Sequence, residues 1–263
     1  MADTLVLRED EDAVATLTLN DPARLNALST GMLTALQAEL DRLAEDRSIR
    51  VVILRGAGRA FCAGHDLREM TAARQSEDGG RAFFEALFAQ CAAMMMTLPR
   101  LPQPVIAETH GIAVAAGCQL VAACDLAVAA HGTRFGVNGV NIGLFCSTPM
   151  VALTRNLGRK AAFELLTTGE LVEAEEARRL GLVNRTAAPE ALAETTRALA
   201  GAVAGKLGPV VAIGKRAFYE QAELGLGDAY AYAGAVMTRN MLREDTAEGI
   251  DAFLAKRPPN WNQ

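Results

Sequence analysis

Two glycine turns hold the residues of this 263-residue chain whose types and spacing could do chemistry. The first runs from Leu54 to Leu67, Leu-Arg-Gly-Ala-Gly-Arg-Ala-Phe-Cys-Ala-Gly-His-Asp-Leu, and leads into a predicted helix. The second, His110 to Gln119, reads His-Gly-Ile-Ala-Val-Ala-Ala-Gly-Cys-Gln. Backbone amides exposed by two such turns can converge on one oxygen and stabilise the negative charge that develops there. The pair therefore points to thioester or other carbonyl chemistry. Either turn alone would also serve simply to pass a strand tightly into a helix.

The elements that must position these turns are visible in the hydrophobic pattern. Val51-Val52-Ile53-Leu54 has no polar alternation, as expected of a strand covered on both faces, and it feeds the first turn. Val105-Ile106-Ala107 repeats the arrangement before the second turn, and Leu126-Ala127-Val128 before Phe135-Gly136 reads as a further buried strand. Thr4 to Leu7 and Val14 to Leu19 read as a hairpin, with Glu9-Asp10-Glu11-Asp12 as its solvated turn. Leu33, Leu36, Leu40 and Leu43 recur at helical spacing behind Ser29 and Thr30, either of which can cap a helix. Thr71 to Arg81 reads as a mobile polar loop, and Glu170 to Leu180 as a helix ended by Gly181. The fold class is α/β with a helical tail: a core over residues 1–200 and a helical region over 201–263.

Composition narrows the function. The net charge of −5, from 26 basic and 31 acidic residues, offers no excess of cations for a phosphate backbone and argues against nucleic acid as a partner. No apolar run reaches the length of a membrane span, and nothing near Met1 reads as a secretory signal. The five cysteines are odd in number and sit mostly in apolar runs, the pattern of reduced, buried thiols. The expected address is the cytoplasm, or an organelle matrix if the chain is eukaryotic. His110 and His131 have no partner at ligand spacing, so no metal site is expected. Asp125, behind an apolar run, should accept a buried hydrogen bond from backbone or an arginine.

Taken together, Pro22-Ala23-Arg24-Leu25-Asn26-Ala27-Leu28, the Gly64 and Gly117 turns, Thr168-Gly169 to Gly181-Leu182-Val183, and Glu248-Gly249-Ile250 to Lys256-Arg257 resemble the crotonase, or enoyl-CoA hydratase/isomerase, superfamily over nearly the whole chain. Ala-Ala-Gly-Cys-Gln at 115–119 and the segment from Gly139 to Pro149 are most similar to its enoyl-CoA hydratase domain-containing protein three branch. The resemblance implies a spiral of strand-strand-helix turns with a helical C-terminal trimerisation region, assembled as a homotrimer or dimer of trimers. It implies an acyl-CoA thioester as ligand, with coenzyme A entering as part of the substrate and no separate cofactor. It also implies a role in fatty-acid or related acyl metabolism.

The same resemblance assigns residues. The amides of His65 and Ala116 would bind the thioester oxygen and stabilise its enolate. Arg24, Leu25, Ala63, Asp66, Arg68, Gly117, Cys146 and Lys256 would contact the acyl-CoA, with Arg24, Arg68 and Lys256 facing its phosphates and nucleotide. Hydratases of the family ionise a water with two glutamates, but here Gln119 stands at the first place and Gly139 at the second. Neither can deliver a proton, which makes efficient hydration doubtful. Glu108, Glu69 and Asp66 are the acids that could substitute, and Met70, Phe83, Phe84 and Phe88 are expected to set the depth of the acyl pocket. One alternative is a decarboxylase of the methylmalonyl-CoA type. Those enzymes share the Ala63-Gly64-His65-Asp66 pattern and use the histidine at the carboxylate, although Cys146 stands where they place a tyrosine. A second alternative is a non-catalytic acyl-CoA-binding subunit.

Overall fold

The β-branched run at Val51 to Leu54 lies inside a six-stranded sheet and is covered on both faces, as its lack of polar alternation requires. The computed structural model describes residues 4–261. The chain begins with β1 (Val6–Glu11), β2 (Val14–Leu19), α1 (Thr30–Glu45) and β3 (Val51–Gly56). It continues through α2 (Leu67–Ala73), α3 (Arg81–Arg100), β4 (Val105–Thr109), β5 (Ile112–Val114), α4 (Ala116–Ala123), β6 (Leu126–Ala130) and β7 (Arg134–Gly136). Next come α5 (Ser147–Asn156), α6 (Arg159–Thr168), β8 (Val172–Glu173), α7 (Ala174–Leu180) and β9 (Arg185–Ala187). The chain ends in α8 (Leu192–Ala204), α9 (Gly208–Ala222), α10 (Leu226–Met241) and α11 (Glu244–Leu254).

The large sheet has the order β1-β2-β3-β4-β6-β9, antiparallel only between β1 and β2. A second sheet, β5-β7-β8, stands at the ends of β4 and β6. Alternation along β3 divides the core. Val52 and Leu54 join an inner cluster with Leu33, Leu36, Leu40 and Leu43 of α1, while Val51 and Ile53 join an outer cluster with Leu192 and Leu199 of α8. The predicted helix at Leu33 to Leu43 is thus α1, and Ser29 caps it by accepting from the Met32 N–H at 3.1 Å.

Three sequence expectations change. Glu9, Asp10 and Glu11 lie within β1 and pair with β2, and the turn is made by Asp12 and Ala13 at positive φ. The polar stretch after Thr71 is partly helical: α2 extends to Ala73 and α3 starts at Arg81, with Asp78 accepting from the Gly80 and Ala82 N–H groups between them. The segment from Glu170 opens with the short strand β8, and only Ala174 to Leu180 is helical, ending as expected at Gly181 in the left-handed region. The residue-200 boundary falls inside α8, which packs on β3, β4 and β6. By length and composition α3 could cross a membrane; here it packs against α1 and buries Leu87, Cys91, Met94, Met95 and Leu98.

The C-terminal helices are tied to the core by one buried polar cluster. Lys215 of α9 donates to Asp125 Oδ2 at 2.7 Å and to the carbonyls of Leu98 and Gln103 at 2.7 and 2.9 Å. Tyr219 donates to Asp125 Oδ1 at 2.8 Å, and the Val105 N–H to Oδ2 at 2.6 Å. Asp125 therefore has the expected backbone donor, but its cationic partner is a lysine from α9 and not an arginine. Burial pushes the Lys215 ammonium below its usual range, against the pull of Asp125. Removing one member leaves the others buried and unbalanced, at about 3–5 kcal/mol. Lys215→Met should lower the free energy of unfolding in urea by about that amount, whereas a surface-like loss of under about 1 kcal/mol would show the cluster to be unimportant.

Candidate active site

The two glycine turns leave the ends of adjacent parallel strands, β3 and β4, and are joined directly to each other. Cys62 pairs with Ala113 of β5 in a short parallel bridge: the Cys62 N–H donates to Ile112 O at 3.2 Å and the Val114 N–H to Cys62 O at 3.1 Å. Both glycines are demanded by this approach. A Cβ at Gly117 would lie 2.2 Å from the Cys62 carbonyl oxygen, and one at Gly64, where φ is +91°, would lie 2.9 Å from Ala115 Cβ and 3.2 Å from Ala116 N. The residues before the two expected amide donors are therefore in contact across the turns.

The donors themselves are held open. Ala115 adopts φ 49° and ψ −120°, pinned by its N–H to Gly136 O at 2.9 Å. Such a conformation costs an alanine about 1–3 kcal/mol and persists only where the surroundings enforce it. It starts α4 at Ala116, whose N–H, in the first helical turn, has no acceptor within the helix. Among the described residues no hydrogen-bond acceptor takes either the Ala116 or the His65 N–H.

The segment from Arg24 to Leu28 runs beside the first turn. The Ala63 N–H donates to Leu25 O at 3.0 Å, and the Leu28 N–H to Gly64 O at 2.7 Å. Asp66 caps α2 by accepting from the Arg68 N–H at 2.8 Å and pairs with Arg24 at 3.5 Å. Asn26, for which the sequence suggested no role, is fully buried with Leu25 and itself both at φ 53°. Its amide group donates to the carbonyls of Ala57, Ala60 and Phe61, fastening the whole first turn to this segment. An asparagine inside an apolar Leu-Asn-Ala-Leu run was the available signal, since a buried amide must find partners.

His65 projects its imidazole back over the same segment. Nδ1 lies 3.3 Å from the Leu28 carbonyl oxygen, which can only accept, so Nδ1 carries the proton and Nε2 the lone pair. Nε2 is buried without a hydrogen-bond partner among the described residues. Burial pushes the imidazole pKa below its ordinary value, against weaker opposing pulls from the Leu28 carbonyl and then the Glu69 carboxylate, so the ring is neutral at pH 7. Its neighbour is the Phe88 ring, edge-on with centroids 5.7 Å apart, and Phe84 stacks on Phe88 at 6.5 Å.

Gln119 sits on α4, only 5% exposed, with Oε1 buried and unpartnered. Gly139 and Cys146 come together: a Cβ at Gly139 would lie 2.3 Å from the Leu144 carbonyl oxygen and 2.8 Å from Cys146 Sγ. The Gly139 N–H bonds to that sulfur, but burial is the larger influence and raises the thiol pKa, keeping it as S–H. The substitute acids are engaged elsewhere. Glu69 accepts from the Thr30 N–H at 2.9 Å at the start of α1, and Asp66 is bound as above. Glu108 shares a strand face with Ile106, on the outer, α8-facing side of the sheet.

Of the cations expected at the phosphates, Arg24 and Arg68 flank the first turn, half-exposed and exposed respectively. Lys256 lies just past α11 at φ 54°, exposed and without an ion-pair partner among the described residues. His110 donates through Nε2 to Gly58 O at 2.8 Å, and His131 lies 3.6 Å from Glu175. Among the described residues no three His, Cys, Asp or Glu side chains gather as a metal site would require.

The sequence profile of the enoyl-CoA hydratase/isomerase family matches residues 9–263. The enoyl-CoA hydratase domain-containing protein 3, mitochondrial, of Rattus norvegicus is 42% identical over 258 residues, which cover 98% of this chain and 84% of that protein. A putative enoyl-CoA hydratase of Thermus thermophilus is 38% identical over 261 residues, covering 97% of this chain and 100% of that protein. Among solved structures, an enoyl-CoA hydratase of Mycobacterium smegmatis superposes with a TM-score of 0.94 at 53% identity, covering 98% of this chain and 99% of that one. Human enoyl coenzyme A hydratase domain-containing protein 3 superposes with a TM-score of 0.93 at 41% identity, covering 98% and 100%.

The contact of Gly139 with Leu144 O and Cys146 yields a quantitative expectation. A side chain at position 139 must push backbone aside, and overpacking of this kind costs about 1–3 kcal/mol. Gly139→Glu should therefore reduce stability to denaturant by that amount, while a stability equal to the parent would mean that the position has room for an acid.

Proposed function

Starting from the fact that the chain belongs to the enoyl-CoA hydratase/isomerase family, whose members act on acyl-CoA thioesters, we propose that it binds an acyl-CoA and stabilises the thioester enolate with the His65 and Ala116 amides. The observation that carries this reading is the contact between the two turns at Gly64 and Ala116, with both amides free of acceptors among the described residues. A thioester oxygen there would receive two preorganised donors, each worth roughly 2.7–4 kcal/mol in comparable sites. Arg24 and Arg68, beside the first turn, and Lys256, from the tail, supply charge for the phosphates of coenzyme A. Leu25, Ala63, Asp66, Gly117 and Cys146 form the lining around the thioester.

Water addition is the weak step. Gln119 cannot exchange a proton, and position 139 is occupied by the Leu144 carbonyl and the Cys146 thiol. Decarboxylation through His65 is less well supported than enolate chemistry, because the neutral imidazole offers a carboxylate no proton at Nε2. A purely binding role leaves the strain at Ala115, which keeps the Ala116 amide open, without a purpose.

Exposed Leu226, Tyr230 and Met237 on α10, Leu242 just past it and Phe253 on α11 support burial of this tail between copies, as a homotrimer or dimer of trimers. The five free, buried cysteines fit a cytoplasmic or organelle-matrix address. A general acid or base contributes about 10²–10⁴-fold. Purified protein should thus bind crotonyl-CoA yet hydrate it at least about 100-fold more slowly than a relative carrying both glutamates. Release of carbon dioxide from methylmalonyl-CoA would favour the decarboxylase reading instead, and failure to bind either thioester would refute the proposal.

A further inference from the structure

The two turns also present an acid–base atom that the oxyanion pair does not use. We infer that His65 Nε2 is the general base that removes the α-proton of the bound acyl thioester, in a site where Glu69, Asp66 and Glu108 are engaged or turned away. The inference rests on the enolate reading above and adds the missing proton acceptor to it.

Three observations carry it. First, the tautomer is fixed: Nδ1–H is directed at the Leu28 carbonyl at 3.3 Å, so the in-plane lone pair is on Nε2. Leu28 in turn donates its N–H to Gly64 O at 2.7 Å, so the imidazole leans on the segment that also fixes the Gly64–His65 peptide, whose N–H is the first oxyanion donor. Second, Nε2 is buried and unpartnered, and leaving such an acceptor unsatisfied is costly in a protein with no use for it. Third, the competing groups are eliminated. Glu69 caps α1, Asp66 caps α2 and pairs with Arg24, and Glu108 faces the outer layer. Gln119 does not titrate, and the Cys146 thiol stays protonated. Burial leaves the Nε2 lone pair unprotonated at pH 7, and the same burial weakens it as a base, so the oxyanion donors must carry most of the cost of forming the enolate.

The step balances without any co-reactant. The α C–H bond breaks and its proton passes to Nε2, giving an imidazolium. The electron pair forms the Cα=C bond while the carbonyl π pair moves to the oxygen held by the His65 and Ala116 amides. Return of the proton to Cα, or to the γ-carbon of an unsaturated acyl chain, regenerates the neutral ring.

Deuterium exchange at Cα of butyryl-CoA in D2O, followed by mass spectrometry, tests the assignment. The parent protein should exchange, and His65→Asn, whose amide can keep the bond to Leu28 O, should lose about 10²–10⁴-fold in exchange rate while still binding butyryl-CoA. His65→Gln should behave alike and guards against a folding defect in either variant. Exchange at the parental rate in a folded variant would overturn the base assignment and leave the enolate reading standing. Absence of exchange in the parent, with butyryl-CoA bound, would overturn both.

Discussion

The structure depends on one short backbone bridge, Cys62 to Ala113, which presses the turn after β3 against the turn after β4. Neither turn has a chemical use without the other, because one amide donor polarises an oxygen far less than two fixed donors do. The bridge sets the spacing, and the glycines at 64 and 117 permit it, since any Cβ there would meet Ala115, Ala116 or the Cys62 carbonyl. The parallel pairing of β3 with β4 then fixes where both turns begin.

Rigidity is concentrated around this contact. Asn26 fastens the first turn through three carbonyls, and the Gly136 carbonyl holds Ala115 in a conformation that alanine avoids. Strain of this kind is tolerated where the position of a donor matters more than the local energy. Space is equally scarce at position 139. The backbone at Leu144 and the thiol of Cys146 fill the volume that a side chain at 139 would need. Any side chain at 139 is thus disfavoured by the path of the chain itself.

The sequence makes the local parts of this arrangement legible. A short β-branched run with no alternation reads as a doubly covered strand, and each glycine turn declares itself by composition. That no acid stands at 119 or 139, where the family resemblance leads one to look for it, is likewise plain from Gln119 and Gly139. What escapes is contact at long range. The pairing of Cys62 with Ala113 involves a three-residue strand, β5, too short to carry a pattern. Asn26 reveals its role only through carbonyls more than thirty residues away, and the partner of Asp125 is Lys215, ninety residues on. The acidic run at Glu9 to Asp12 misled because its alternation with β2 is set by pairing, whereas charge alone suggested a turn.

Polarisation of the thioester carbonyl is the central physical claim, and vibrational spectroscopy reads it without requiring turnover. The infrared C=O stretch of butyryl-CoA labelled with carbon-13 at the carbonyl should move to lower frequency when the ligand is bound, because two amide donors weaken that bond. A bound ligand whose carbonyl absorbs at its frequency in water, or higher, would contradict the account.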